Sequence, residues 1–138
     1  MENRPFDQWN TEKKRVNALA SPPFYIKKRQ IWFTKMGENI GDEQNGKKEF
    51  SRPVLVLKKV GSLFFTVALT TKGKDDNRFY HHIKNLSLAE DHWEHAQQSW
   101  VILSQVRVID KRRFLEKVST IESKEFEIIK QKITALVL

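Results

Sequence analysis

The 138-residue chain contains no cysteine. That excludes a disulfide framework, a thiolate nucleophile and a cysteine-ligated zinc. No apolar run approaches the roughly 20 residues that a membrane-spanning helix requires, so no membrane partner is expected. The opening stretch "MENRPFDQWNTEKKR" lacks the apolar centre of a signal peptide. The simplest expectation is a cytoplasmic protein. Glycine and proline are scarce, at five and four residues, so each is informative about where the chain turns.

What is present is charge and aromatic surface. Lys and Arg number 25 against 17 Asp and Glu, a net charge of +8, and the pI is near 9.8. A pI above about 9 is one footprint of a nucleic-acid binder, although net charge also serves solubility. Nine Phe and four Trp offer rings that could stack on bases. Any single one of them more often fills a core. The length suits one domain with one core.

Residues 6–20 carry Phe6, Trp9, Val16 and Leu19 near one helical face, and "SPPF" at 21–24 breaks that helix. We read residues 1–27 as a helical extension with a linker and 28–138 as the main domain. Within it, "RQIWFTKM" (29–36), "RPVLVLKK", "SLFFTVALTT" and "SWVILSQVRVI" are strand-like, with "LEKVSTI" a shorter strand. "VGS" is short enough for a hairpin turn. The nearly continuous apolar runs of the second and third strands place them centrally, buried on both faces. "RFYHHIKN" is polar enough for an edge strand. "SLAEDHWEHAQQ" is ambiguous between loop and short helix. Ser123 is placed to cap a last helix whose buried face is Phe126, Ile129, Ile133 and Leu136. Short strands in succession with a terminal helix predict a small antiparallel barrel or sandwich.

The candidate functional residues each have a plain structural reading beside them. Arg52 precedes Pro53 where a polar loop meets a strand. It could pair with Glu49 or snorkel, or it could present a rigid guanidinium fork to phosphate. Thr70 and Thr71 end a strand, where Thr is common, yet two hydroxyls there could bind a phosphate or ribose. His92 and His95, in "HWEH", lack the partners of a familiar zinc motif, and we expect no metal. His81 and His82 are adjacent on a strand and so face opposite sides. "RVIDKRRF" concentrates positive charge, either as a solvated turn or as a patch that positions phosphate.

Taken in order, "RQIWFTKMGENIGDEQNGK", "RPVLVLKK", "VALTTK" and "SWVILSQVRVIDKRRF", followed by a helix, resemble the PemK/MazF family of toxin ribonucleases from type II toxin–antitoxin modules. The resemblance runs from about Lys28 to Leu138. It implies a mostly-β, small SH3-like antiparallel barrel of the CcdB/MazF type with a C-terminal helix, to which this chain adds an N-terminal one. It also implies a homodimer, a cognate antitoxin, and cleavage of single-stranded RNA without metal or other cofactor. The family's catalytic arginine matches Arg52, and its strand-end threonine matches Thr70, with Thr71 beside it. Asp42, Glu43, Gln44, Lys47 and Lys48 fall in the loop that touches RNA in such proteins. Gln105 matches a glutamine on the opposite wall, with Ser104 and Arg107 beside it. This chain departs from the pattern at three places. "KKEFS" lengthens the loop before Arg52, Asp42 replaces a small polar residue, and Ser104 stands where many members carry Asp or Glu. A relative that blocks a protein partner, as CcdB-type toxins block DNA gyrase, and one that binds RNA without cutting it are the alternatives.

Overall fold

A computed structural model describes residues 25–35, 51–84 and 99–137. The expected N-terminal helix, the loop that carries Asp42, Glu43, Gln44, Lys47 and Lys48, and the "HWEH" stretch lie outside the described residues. The strands are β1 (Gln30–Lys35), β2 (Ser51–Val60), β3 (Leu63–Thr70), β4 (Tyr80–Ile83), β5 (Ser99–Asp110) and β6 (Phe114–Thr120), and the chain then enters helix α1 (Ser123–Val137). They form one antiparallel sheet in the order β4-β5-β3-β2-β1-β6.

That order forces the sheet to roll. β5 and β6 are separated by three strands but joined only by the 3₁₀ turn Lys111–Arg113. In a flat sheet they would stand about 19 Å apart, four strand spacings. A 3₁₀ turn advances only about 2 Å per residue. The sheet therefore curls until the end of β5 meets the start of β6, which is the barrel expected from the sequence. Asp110 fixes this corner by accepting from the Arg112 backbone N–H at 2.9 Å and from Arg112 Nε at 3.0 Å.

The central strands do bury both faces over their inner halves. Ile31, Leu55, Val67, Leu69, Ile83, Val101, Leu103 and Ile121 pack with Phe126 and Ile129 of α1. Trp32, Val54, Val56, Phe64, Ile109 and Phe114 form a second cluster under the β5–β6 corner. Neighbours such as Ile31 and Trp32 fall in different clusters, as strand alternation requires. The outer ends differ from the expectation, since Val60, Leu63 and Phe65 are exposed. The β2–β3 hairpin turns on Gly61, whose φ of +63° a glycine adopts without steric cost.

The helix start is a correction to the sequence reading. Ser123 is the first helical residue, and Glu122 does the capping. Its carbonyl accepts from Phe126 N at 2.9 Å, and its carboxylate accepts from Lys124 N at 2.7 Å and Glu125 N at 3.3 Å. A longer acidic side chain one position earlier reaches these amides, and its charge suits the positive end of the helix dipole.

Candidate active site

The site begins with the register of β2 against β3. Val54 faces Ala68 and Val56 faces Thr66. Arg52 and Thr70 lie just beyond this ladder, two residues past Val54 on β2 and Ala68 on β3. On the other side of β2, Arg52 pairs with Thr34. On the other side of β3, Thr70 pairs with Trp100, and Trp100 in turn pairs with His82 of β4. Two paired sets, Thr34–Arg52 and Thr70–Trp100–His82, thus end on the neighbouring strands β2 and β3. Directly opposite residues hold their side chains on one face, with Cβ atoms about 5 Å apart.

Arg52 is 4% exposed, which rules out snorkelling. Its Nη2 donates to the Leu69 carbonyl oxygen at 3.2 Å, and its own carbonyl accepts from Thr34 Oγ1 at 3.2 Å. Pro53, in β2 beside it, keeps the strand entrance narrow in its φ range. A permanently charged group is therefore held on a scaffold of three strands rather than on a loop. Such a group can stabilise charge that develops on a phosphate without reorganising.

Thr70 is 5% exposed and is the last residue of β3. Its Oγ1 accepts from Lys72 N at 3.1 Å, so the chain turns back over it at once. Thr71 lies beyond the strand and is exposed. Strand alternation therefore does not set its direction.

β5 supplies the remaining wall. Between β3 and β5 the register breaks: a step of two residues from Val67 to Leu69 is matched by a step of five from Val106 to Val101. Ser104 and Gln105 lie in this irregular stretch, Ser104 exposed and Gln105 half-buried. Arg107 resumes the ladder opposite Thr66, whose hydroxyl donates to its carbonyl at 3.1 Å, and its side chain is exposed. The structure thus brings Arg52 beside Thr70 through its bond to the Leu69 carbonyl and sets Ser104, Gln105 and Arg107 along the adjoining strand.

Sequence reading missed Thr34, Trp100, Gly73 and Asp75. His82 and Trp100 stack with centroids 4.5 Å apart and planes 14° apart. Trp100 Nε1 donates to Asp75 Oδ1 at 3.1 Å. Only the pairing of the last strand-like run with "LTT" could have signalled this. The two histidines do face opposite sides. His81 is buried against α1, where Nε2 meets Glu125 Oε1 and Lys132 Nζ donates to Nδ1 at 2.9 Å. Burial, and secondarily the Lys132 charge, lower the His81 pKa, while Glu125 opposes the shift. At the barrel corner burial lowers the pKa of Arg113, whose Nη1 donates to the Lys35 carbonyl at 3.4 Å. Among the described residues no three His, Asp or Glu side chains cluster as metal ligands, and no helix is long and apolar enough to cross a membrane.

Residues 27–137 match the family model for PemK-like, MazF-like toxins of type II toxin–antitoxin systems. No curated protein matches the chain in sequence. Among solved structures, Deinococcus radiodurans MazF superposes with a TM-score of 0.60 at 18% identity, over 83% of this chain and 97% of that one. An endoribonuclease from a mycobacterial species gives 0.58 at 12% identity, over 85% and 97%. A mycobacterial endoribonuclease in complex with its cognate antitoxin gives 0.56 at 12% identity, over 83% and 97%. At these identities the likeness establishes the fold.

Proposed function

Since the chain belongs to the PemK-like, MazF-like toxins of type II toxin–antitoxin systems, we propose that it is an endoribonuclease that cleaves single-stranded RNA by attack of the 2′-OH on the adjacent phosphate. The carrying observation is that buried Arg52 on β2 has its guanidinium fixed to the Leu69 carbonyl of β3, one residue before buried Thr70.

RNA brings its own nucleophile. The O2′–P bond forms as the P–O5′ bond breaks. The 2′-OH gives up a proton and O5′ gains one, so the products are a 2′,3′-cyclic phosphate and a 5′-OH. The protein's task is to align O2′ with phosphorus and to stabilise charge on the phosphoryl oxygens. Arg52 faces the phosphoryl oxygens, and the Thr70 hydroxyl holds a phosphoryl oxygen or O2′, with Thr71 beside it. Ser104, Gln105 and Arg107 line the strand along which the RNA runs, Arg107 positioning phosphate and Gln105 reading a base edge. Asp42, Glu43, Gln44, Lys47 and Lys48 complete the RNA-binding set. The working form is a cytoplasmic homodimer restrained by a cognate antitoxin.

The test is a defined RNA oligonucleotide incubated with the protein in EDTA. Expected are 5′-OH and cyclic-phosphate ends, and loss of cutting when a single 2′-deoxy nucleotide precedes the cut. Cutting that continues at the 2′-deoxy position overturns the mechanism. Tight RNA binding with no cleavage under any of these conditions favours the RNA-binding alternative, for which the carboxylate missing at Ser104 is the physical reason.

A further inference from the structure

The segment that follows Thr70 is built around one indole. Thr70 and Trp100 are direct cross-strand partners. Immediately after Thr70 the chain folds back, so that Lys72 N–H donates to Thr70 Oγ1 at 3.1 Å. At the next residue the backbone lies against the ring. A Cβ on Gly73 would fall 2.2 Å from Trp100 Cγ and 2.5 Å from its Cδ2. Only glycine permits that approach, because real Cβ contacts are never so short. Two residues later Asp75 accepts from Trp100 Nε1 at 3.1 Å. His82 stacks on the same indole, and its Nδ1 lies 3.5 Å from Asp75 Oδ1. Strand pairing, backbone contact and a side-chain hydrogen bond therefore join the segment 70–75 to Trp100.

We propose that Trp100 is a positioning residue for Thr70: the indole is the template on which residues 71–75 turn, and that turn delivers the Lys72 amide that orients the Thr70 hydroxyl. A threonine hydroxyl otherwise samples several rotamers. With the Lys72 N–H occupying one lone pair, the Thr70 O–H is directed away from Lys72. This inference rests on the role given to Thr70 above. It assigns a task to Trp100, Gly73 and Asp75 that follows from their contacts.

The experiment compares Gly73→Ala and Trp100→Ala, each alone and combined with Thr70→Val, in steady-state cleavage of RNA. Amide hydrogen exchange at Lys72 is read in parallel by NMR. A reacting group misplaced by about 1 Å can lose up to about 100-fold in rate. Expected for Gly73→Ala is a kcat loss of that order with KM nearly unchanged, faster exchange at Lys72, and no added loss in the Thr70→Val background. Trp100→Phe, which keeps a ring but loses the Asp75 bond, should lie between. Gly73→Ala alters a turn rather than the core, so it serves if Trp100→Ala fails to fold. If Gly73→Ala leaves kcat and Lys72 protection at wild-type values, the proposal fails. Losses that multiply fully with Thr70→Val also overturn it, because the indole then acts through something else. Where Thr70→Val leaves too little rate to measure, Lys72 exchange decides alone. A wild-type rate in Thr70→Val itself instead overturns the role assigned to Thr70.

Discussion

The guanidinium of Arg52 on β2 donates to the backbone oxygen of Leu69 on β3, 3.2 Å away, one residue before Thr70. The contact ties the charged group to the strand that carries Thr70. Arg52→Ala should therefore lower the cleavage rate by roughly 10²–10³, the usual loss for a preorganised donor. Arg52→Lys should recover little, because an ammonium has no planar fork for phosphate and is harder to desolvate. The measurement is single-turnover cleavage beside a thermal melt. Wild-type cleavage by folded Arg52→Ala would remove Arg52 from the site.

Thr70 and Thr71 are adjacent but unequal. Thr70 is buried at the end of β3 with its hydroxyl on the Lys72 amide, whereas Thr71 is exposed in the bend that follows. Thr70→Val should cost at least about tenfold more in kcat than Thr71→Val, the weight of about 1.4 kcal/mol in the transition state. Steady-state kinetics on one RNA decides it. Equal losses would mean that the bend turns both hydroxyls to the substrate.

The elements that sequence revealed were those with local signals. "VGS" marked a tight hairpin, the apolar runs of β2 and β3 marked central strands, and the 3.6-residue spacing of Phe126, Ile129, Ile133 and Leu136 marked α1. The roles of Arg52, Thr70 and Gln105 came from a family resemblance, since nothing in "SRPVLV" alone separates a catalytic arginine from an ordinary strand-end one. What stayed hidden was nonlocal. "VILSQV" reads as an unbroken strand, yet the register slips between Val101 and Val106. Trp100 and Asp75 meet across 25 positions, and His81 and Lys132 across 51. No periodicity carries such pairings; they follow from how the sheet rolls.

The His81 environment predicts a pH dependence of stability. Burial, the largest cause, and then the Lys132 charge hold its folded pKa below the ordinary 6.5, while Glu125 pulls the other way and His82 adds to the lowering. The unfolded chain therefore takes up a proton at a pH where the folded one resists it. The contribution to stability is complete above about pH 6.5 and is lost as pH falls through the lowered folded value. Urea midpoints should drop between pH 8 and pH 5.5, and His81→Gln should shrink that drop. A difference between the two midpoints that His81→Gln leaves unchanged would assign the effect to other groups.

The proposed homodimer needs an apolar surface, and one lies on β3 and β5. Phe65 faces Val108 across the ladder, and Leu63 and Val106 flank them. Exposure is 38% for Phe65, 50% for Val108, 41% for Leu63 and 37% for Val106. Four large apolar side chains side by side on neighbouring strands are unusual on a monomer's surface, and such patches mark interaction sites. A second copy can cover the patch with the same residues, as a two-fold interface requires. Burying each side chain contributes on the order of 1.5–3 kcal/mol before ordering costs. Replacing Phe65 with Glu would set like charges against each other across the two-fold axis. Light scattering at micromolar concentration should give a dimer for the wild type and a monomer for Phe65→Glu, with Val108→Glu behaving alike. A wild-type monomer would reject the dimer. A dimer that tolerates both substitutions would place its interface on another face of the barrel.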